Sequence, residues 1–239
     1  MGITPGVLAS AAVMTVTLQE LDRALLDQVG PLCARAFDDY PFLAELFPGA
    51  SERRARVSSR FYLATVLDCL EHGTVHALVE DRRLLGVAAW LRPGAFPQSL
   101  RRQARFLPTV WAGLRHFPGR ARLALQSLAR LERYHPHSPP HWYLAAIAVE
   151  PSRQGQGLGA RLMKRGLELA AEKGEPCFLE TAKGSNREWY RGFGFDIQRE
   201  EPCFDGGPPQ WFMWRPPEAP VEVGLAESRP PSTRAPGAA

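Results

Sequence analysis

Val149-Glu150-Pro151-Ser152-Arg153-Gln154-Gly155-Gln156-Gly157-Leu158-Gly159-Ala160 is the stretch that decides how this chain is read. An apolar run, Leu144 to Val149, feeds a turn at Pro151. Three alternating glycines follow, and an amphipathic segment opens with Leu158, Leu162 and Met163. The order is strand, glycine loop, helix N-terminus. Backbone N–H groups at a helix start have no partner within the helix. With no side chains in the way they receive an anionic phosphate. The helix dipole adds about 0.3–1 kcal/mol at an exposed site.

Several known loops share parts of this pattern. A P-loop ends in Gly-Lys-Ser/Thr, which is absent here. Gly155, Gly157 and Ala160 match the dinucleotide signature G-x-G-x-x-A, but that loop starts directly after its strand. Here Glu150 to Gln154 intervene. A plain structural glycine turn is the third reading. The fourth is Gln-x-x-Gly-x-Gly, read as Gln154, Gly157 and Gly159. It resembles the acetyl-coenzyme A (acetyl-CoA) loop of the GNAT superfamily of N-acetyltransferases. The resemblance implies that the backbone amides of Gln154, Gly155, Gln156, Gly157, Leu158, Gly159 and Ala160 hold the CoA pyrophosphate. It also implies that Ile147, Ala148 and Val149 run along the pantetheine.

A second segment supports the same family. Phe178-Leu179-Glu180-Thr181, then Asn186, then Trp189-Tyr190-Arg191-Gly192-Phe193-Gly194-Phe195 resembles the end of a GNAT domain, where a helix tyrosine precedes Gly-Phe. By that resemblance Tyr190 lies near the cofactor sulfur and protonates the leaving thiolate. The bland alternative is an aromatic residue packing helix on sheet. The chemistry is sound: a thiol has a pKa of about 8.5 and tyrosine about 10, so the phenol is protonated at neutral pH. Glu180 is the first candidate for general base and His141 the second. The alternatives for Glu180 are a substrate hydrogen bond or a cap on the next loop. Asn186 contacts the cofactor or only caps its helix. Neither Ser185 nor any cysteine belongs to an evident triad, so nothing suggests a covalent intermediate.

Composition narrows the classes. The chain has 239 residues, 45% apolar, with net charge +4. That suits one domain with appendages and does not by itself imply nucleic acid. No run of 18 apolar residues suggests a membrane span. Cys33, Cys69, Cys177 and Cys203 are widely spaced, which predicts reduced thiols in a cytoplasmic protein and no metal site. Residues 1–13 lack a basic leading segment and read as a disordered leader. The proline-rich 217–239, without aromatic residues, reads as a disordered tail.

Between them, 14–216 reads as the acetyltransferase domain. Thr15 to Leu18 predicts a strand. Leu18 to Phe37 predicts a helix that Gly30-Pro31 kinks or divides. Ser51 is a candidate cap for a helix to Glu71, closed by Gly73. Thr74–Glu80 and Leu84–Leu91 predict a hairpin across Asp81-Arg82-Arg83, without Asn-Gly turn chemistry. Residues 93–140 read as an Arg-rich helical insertion in which only Glu132 opposes the arginines over Arg92 to Arg133. The arginines read either as a surface for an acidic partner or the CoA phosphates, or as the solvated side of amphipathic helices. Phe106, Leu107, Val110, Trp111 and Leu114 recur at helical spacing, as a core-facing stripe would, which favours the second. His141–Val149, Gly157–Lys173 and Pro176–Thr181 predict strand, helix and strand. A capping box at Ser185–Glu188 predicts a short helix, and Phe195–Glu201 and Gln210–Arg215 two last strands. The fold class is α/β. The resemblance makes it a mixed central sheet with a splayed parallel pair and flanking helices.

Segments at Ala34–Pro41, Trp142–Leu144, Phe178–Thr181 and Gly207–Trp211 extend the resemblance over roughly Thr15 to Pro216, toward aminonucleoside-acetylating members of the family. They imply acetyl-CoA-dependent transfer to the primary amine of a small molecule, by direct attack, with a place in antibiotic resistance. Phe37, Tyr40, Phe42, Phe61 and Tyr62 offer a stacking wall for an aromatic substrate, or core. The expected partner is that small amine, with no nucleic acid and no membrane, in a monomer or homodimer. A CoA-binding sensor without turnover and a nucleic-acid-binding module are the alternatives.

Overall fold

The computed structural model describes residues 15–217. The expected leader and nearly all of the expected tail lie outside them. The chain runs through β1 (Thr17–Glu20), α1 (Leu26–Ala36), α2 (Pro41–Leu46) and α3 (Ser51–His72) to the hairpin β2 (Gly73–Glu80) and β3 (Arg83–Leu91). An insertion follows with α4 (Leu100–Gln103), α5 (Leu107–His116) and α6 (Ala121–Tyr134). Then come β4 (Trp142–Val149), α7 (Leu158–Ala171), β5 (Cys177–Thr181), α8 (Gly184–Arg191), β6 (Asp196–Pro202) and β7 (Pro209–Arg215).

The seven strands form one sheet in the order β1-β2-β3-β4-β5-β7-β6. Every neighbouring pair is antiparallel except β4–β5. A parallel pair needs a crossover, and α7 supplies it. The β4–β5 pairing is confined to Trp142↔Cys177 and Tyr143↔Phe178. Beyond those two steps the strands part, as the splayed sheet predicted.

Each face of the sheet carries its own core. Leu32, Val66, Val87 and Ala148 pack with α1 and α3 on one side. Trp90, Leu162, Met163 and Phe195 pack with α7 on the other. A bulge in β4 changes which residues point where. Ala89 pairs with Ala146 and Trp90 with Leu144, leaving Ala145 as the extra residue. Side-chain alternation slips at that point, so Ala145 and Ala146 both join the α1/α3 side while Leu144 and Ile147 join the α7 side.

Several local expectations are corrected. The strand β1 runs to Glu20 and α1 starts only at Leu26, continuing through Pro31 undivided. Gly30 lets α3 approach closely there, and Ser59 Oγ donates to the Gly30 carbonyl at 3.1 Å. Ser51 does not cap α3. Ala50 holds that position, and the Ser51 hydroxyl donates to Asp38 at 2.8 Å. The capping box of α8 does not form either: Lys183 is the N-cap, and Glu188 pairs with Arg187 instead. Asp81 and Arg82 both take positive φ, the backbone that a tight hairpin needs. Gln28 compensates for the missing turn chemistry by bonding both the Arg82 carbonyl and the Leu84 amide.

The insertion departs most from expectation. Leu107, Val110, Trp111 and Leu114 are 49–63% exposed rather than core-facing. Instead α5 leans on the body through buried Ala112 and Phe117. Glu132 is the only acid between Arg92 and Arg133, but acids elsewhere in the chain reach the arginines. Arg102 pairs with Asp68, Arg105 with Glu71 and Arg130 with Asp205, so distant acids absorb part of the positive charge.

Candidate functional site

Where β4 and β5 part, a cavity of about 480 Å³ opens. That volume falls within the range of small-molecule sites. Phe37, Tyr40, Phe42, Phe61 and Tyr62, the proposed aromatic wall, all line it. Phe37 stacks on Tyr62 with centroids 4.3 Å apart. The insertion adds Phe96, Phe106, Val110, Leu128 and His135 to the lining, with Phe106 against Phe61 at 5.7 Å between centroids. Tyr143, Ile147 and Glu180 come from the parted strands, and Asn186 and Tyr190 from α8. The sequence-predicted pair Glu180 and Tyr190 therefore shares one cavity.

Glu180 sits on β5 just past its last pairing with β4. Its Oε1 accepts a 2.5 Å hydrogen bond from the Tyr143 hydroxyl. Its Oε2 is shut from solvent and has no partner among the described residues. Burial raises the carboxyl to about 7, and the Tyr143 bond moderates the rise. A buried oxygen without a partner is costly, and a ligand ammonium relieves that cost. Tyr190 is 5% exposed and burial pushes its phenol upward, so it stays protonated at neutral pH. Its hydroxyl has no hydrogen-bond partner among the described residues.

His141, the second candidate base, does not line the cavity. Its Nδ1 bonds the Pro139 carbonyl and its Nε2 faces His135 Nε2 at 3.1 Å. Burial depresses both rings, His135 to about 3, so both are neutral at pH 7. Cys69 borders the cavity, but burial pushes its thiol well up, away from nucleophilic use.

The glycine loop follows β4 as expected. Gly155 and Gly157 both have φ of +76°, a conformation natural to glycine, and a Cβ on either would meet nothing within 4 Å. The surface above them is open. Gly157 is the N-cap of α7 and supplies no side-chain cap, so the first amides, at Leu158, Gly159 and Ala160, are left for a ligand. Gln154 turns its side chain back to the Val149 carbonyl at 3.1 Å. Gln156 accepts from Arg153, which forks onto Glu80 at the end of β2. Glu150 is held by Arg35 of α1 at 2.6 Å. These side chains brace the loop while its backbone faces outward. Ala148 and Val149 bury their side chains in the two cores and Ile147 lines the cavity, so this part of β4 offers mainly its backbone edge.

Sequence reasoning missed Tyr143, His135 and the Asp68–Arg102–Gln98 cluster. Asp68 is 1% exposed and receives two hydrogen bonds from Arg102 and one from Gln98. Tyr143 carried a signal, as a polar-tipped aromatic in an otherwise apolar strand. The cluster carried none, since its members lie 30 and 34 positions apart. Thr109 of α5 also borders the cavity, with a buried hydroxyl that has no partner among the described residues.

Residues 51–195 match the model of the acetyltransferase (GNAT) family. Among solved structures, a histone acetyltransferase HPA2 and related acetyltransferase from Corynebacterium glutamicum superposes with a TM-score of 0.62 at 24% identity, covering 87% of this chain and 99% of that one. The PaiA N-acetyltransferase of Thermoplasma acidophilum, solved with coenzyme A, gives 0.54 at 10% identity over 85% and 99% of the two chains. Arylalkylamine N-acetyltransferase 2 of Aedes aegypti gives 0.53 at 13% identity over 84% and 98%. At these identities the structural likeness speaks for the fold.

Proposed function

The chain belongs to the GNAT family of acetyltransferases, and on that premise we propose that it transfers acetyl from acetyl-CoA to the primary amine of a small molecule by direct attack. The observation that carries this reading is the unpartnered Glu180 Oε2 in a cavity that Tyr190 also lines.

The chain's own groups suit the cosubstrate. Past Tyr143 the β4 edge is released from β5, which leaves the Ile147 amide and carbonyl and the Val149 amide for the pantetheine amides, while Ala148 turns its backbone to Val87 of β3 and the Val149 carbonyl accepts from Gln154. The amides of the Gln154–Ala160 loop suit the pyrophosphate, and Asn186 lines the cavity. When bound, acetyl-CoA supplies an activated acetyl thioester. Glu180 takes one proton from the acceptor ammonium, freeing the nitrogen lone pair. As the nitrogen–carbon bond forms and the carbon–sulfur bond breaks, Tyr190 gives its phenolic proton to sulfur. The second nitrogen proton restores the Tyr190 phenol, so one proton is released overall. A base near pH 7 is matched to an α-amine of pKa about 7.7–8.0, and poorly matched to a lysine amine near 10.4.

For the acceptor we take an aminonucleoside, with a role in antibiotic resistance, in a cytoplasmic enzyme. The support is the resemblance to puromycin N-acetyltransferase at Ala34–Pro41, Trp142–Leu144, Phe178–Thr181 and Gly207–Trp211, with the aromatic walls of the cavity. The test is thiol release from acetyl-CoA with puromycin-like amines, other small amines and lysine peptides side by side. Small amines are expected to turn over. Turnover of lysine peptides alone overturns the small-molecule assignment, and binding of acetyl-CoA without any thiol release overturns the catalytic one.

A further inference from the structure

We infer that the acceptor is longer than the cavity, and that an apolar part of it emerges onto the outer face of α5 and α6. This rests on the acetyl-transfer reading. All the exposed large hydrophobic residues among those described fall between Leu100 and Leu128, within the insertion. On α5 they are Leu107, Val110, Trp111 and Leu114, spaced i, i+3, i+4 and i+7, which makes one stripe. On α6 they are Leu125 and Leu128, 67% and 53% exposed. A helix that turns its apolar stripe to water has a ligand or partner to cover it.

Continuity names the occupant. Val110 and Leu128 belong to both surfaces: each is about half exposed, and each lines the cavity. Leu114 lies one turn beyond Val110, and Leu125 one turn before Leu128. The apolar wall thus leaves the cavity between α5 and α6 and continues outside it. The same cavity reaches Ile147, Asn186 and Tyr190, the end assigned to the pantetheine and acetyl group. An acceptor with its amine at Glu180 shares about 480 Å³ with that arm and soon runs out of enclosed space.

The experiment uses glycine n-alkylamides from ethyl to decyl, whose amine pKa is constant along the series. Above about butyl, kcat/KM is expected to rise roughly twofold per methylene, below the roughly fourfold limit of complete burial. Trp111→Gln and the double variant Leu114→Gln/Leu125→Gln should flatten that slope and leave ethylamide turnover within twofold. Calorimetric titration of the same amides tests the strip even where no acetyl moves. No gain beyond butyl, or an unchanged slope in both variants, overturns the inference and leaves the acetyl-transfer reading standing. So does conversion of a dimer to a monomer by the variants with the slope intact, which assigns the stripe to a second copy. Absence of turnover along the series, with length-dependent binding that the variants abolish, sinks the acetyl-transfer reading and keeps the strip.

Discussion

The Tyr143 hydroxyl bonds Glu180 Oε1 across the point where β4 and β5 separate. Tyr143 belongs to the last paired step of the two strands, and Glu180 lies two residues beyond its partner Phe178. One oxygen of the carboxylate is thereby fixed by the sheet, while the other is left to the cavity. The splay that makes room for a ligand also creates the buried position that raises Glu180 to about 7.

The first prediction concerns pH. A base must be ionised, so kcat/KM for an acceptor of constant charge state should rise through an apparent pKa near 7 and level above it. Glu180→Gln should remove that limb. Tyr143→Phe deletes a bond that favours the ionised form, so the limb should move up, by about one to two pH units if the bond contributes the usual 1.5–3 kcal/mol. Stability has the opposite sign. Between about 4.5 and 7 the folded state holds a proton that the unfolded state has lost, so Glu180 makes stability fall as pH rises through that window. A limb that stays near 7 in Glu180→Gln would assign it to another group.

Tyr190→Phe keeps the ring that packs beside Trp189 and Phe195 and removes only the proton donor. The expected result is a fall in kcat of roughly 10²–10⁴-fold with unchanged acetyl-CoA affinity. Steady-state kinetics with calorimetry on the same sample separates the two. Because burial raises the Tyr190 phenol, no alkaline loss of activity from its ionisation is expected below pH 10. Wild-type kcat in the variant would leave Tyr190 a packing residue.

The element order is legible in the sequence because β4, the glycine loop and α7 are contiguous, and their periodicities change at Pro151 and Gly157. Local polar signals served less well. Ser51 and Ser185 match capping patterns, yet the N-caps are Ala50 and Lys183, since a short hydroxyl is easily diverted to another partner, as Ser51 is to Asp38. Periodicity alone misdirected the α5 stripe. It reports that apolar residues share a face, and not whether that face meets the core or the exterior. In the site, Glu180 and Tyr190 stood out by motif. Tyr143 and Asp68 take their roles from strand pairing and helix packing across long separations, which no local pattern records.

Gly157 carries a prediction about the loop. At φ +76° a β-branched residue is strained, and its side chain would stand over the amides that open α7. Gly157→Val should lower acetyl-CoA affinity at least tenfold by calorimetry, because about 1–2 kcal/mol of added left-handed strain drives the loop from the conformation that presents its amides and the side chain adds a steric block. Near-native far-ultraviolet circular dichroism is expected, because the φ change is local. Affinity equal to wild type would remove the loop from the cosubstrate site.

Asp68 decides whether the insertion is fastened or merely adjacent. Its carboxylate is 1% exposed on α3, and Arg102, 13% exposed, reaches it from α4. Burial pushes the Asp68 carboxyl up, but the Arg102 bonds and charge, with Gln98, outweigh it and hold the pKa below its ordinary value. Removing one partner leaves the other charge buried and uncompensated, at a typical cost of about 3–5 kcal/mol. Asp68→Ala is therefore expected to lower Tm by roughly 6–12 °C, taking the lower end of that cost because Arg102 retains some contact with water. Loosening α4 also loosens the wall formed by Phe96, Phe106 and Val110. The acceptor KM should then rise while the acetyl-CoA Kd holds, because the glycine loop is braced separately by Arg153–Glu80 and Arg35–Glu150. The double variant Asp68→Leu/Arg102→Met replaces the pair by apolar groups and should recover much of the Tm. Equal losses in acceptor and cosubstrate binding would show that the insertion and the loop are not held independently.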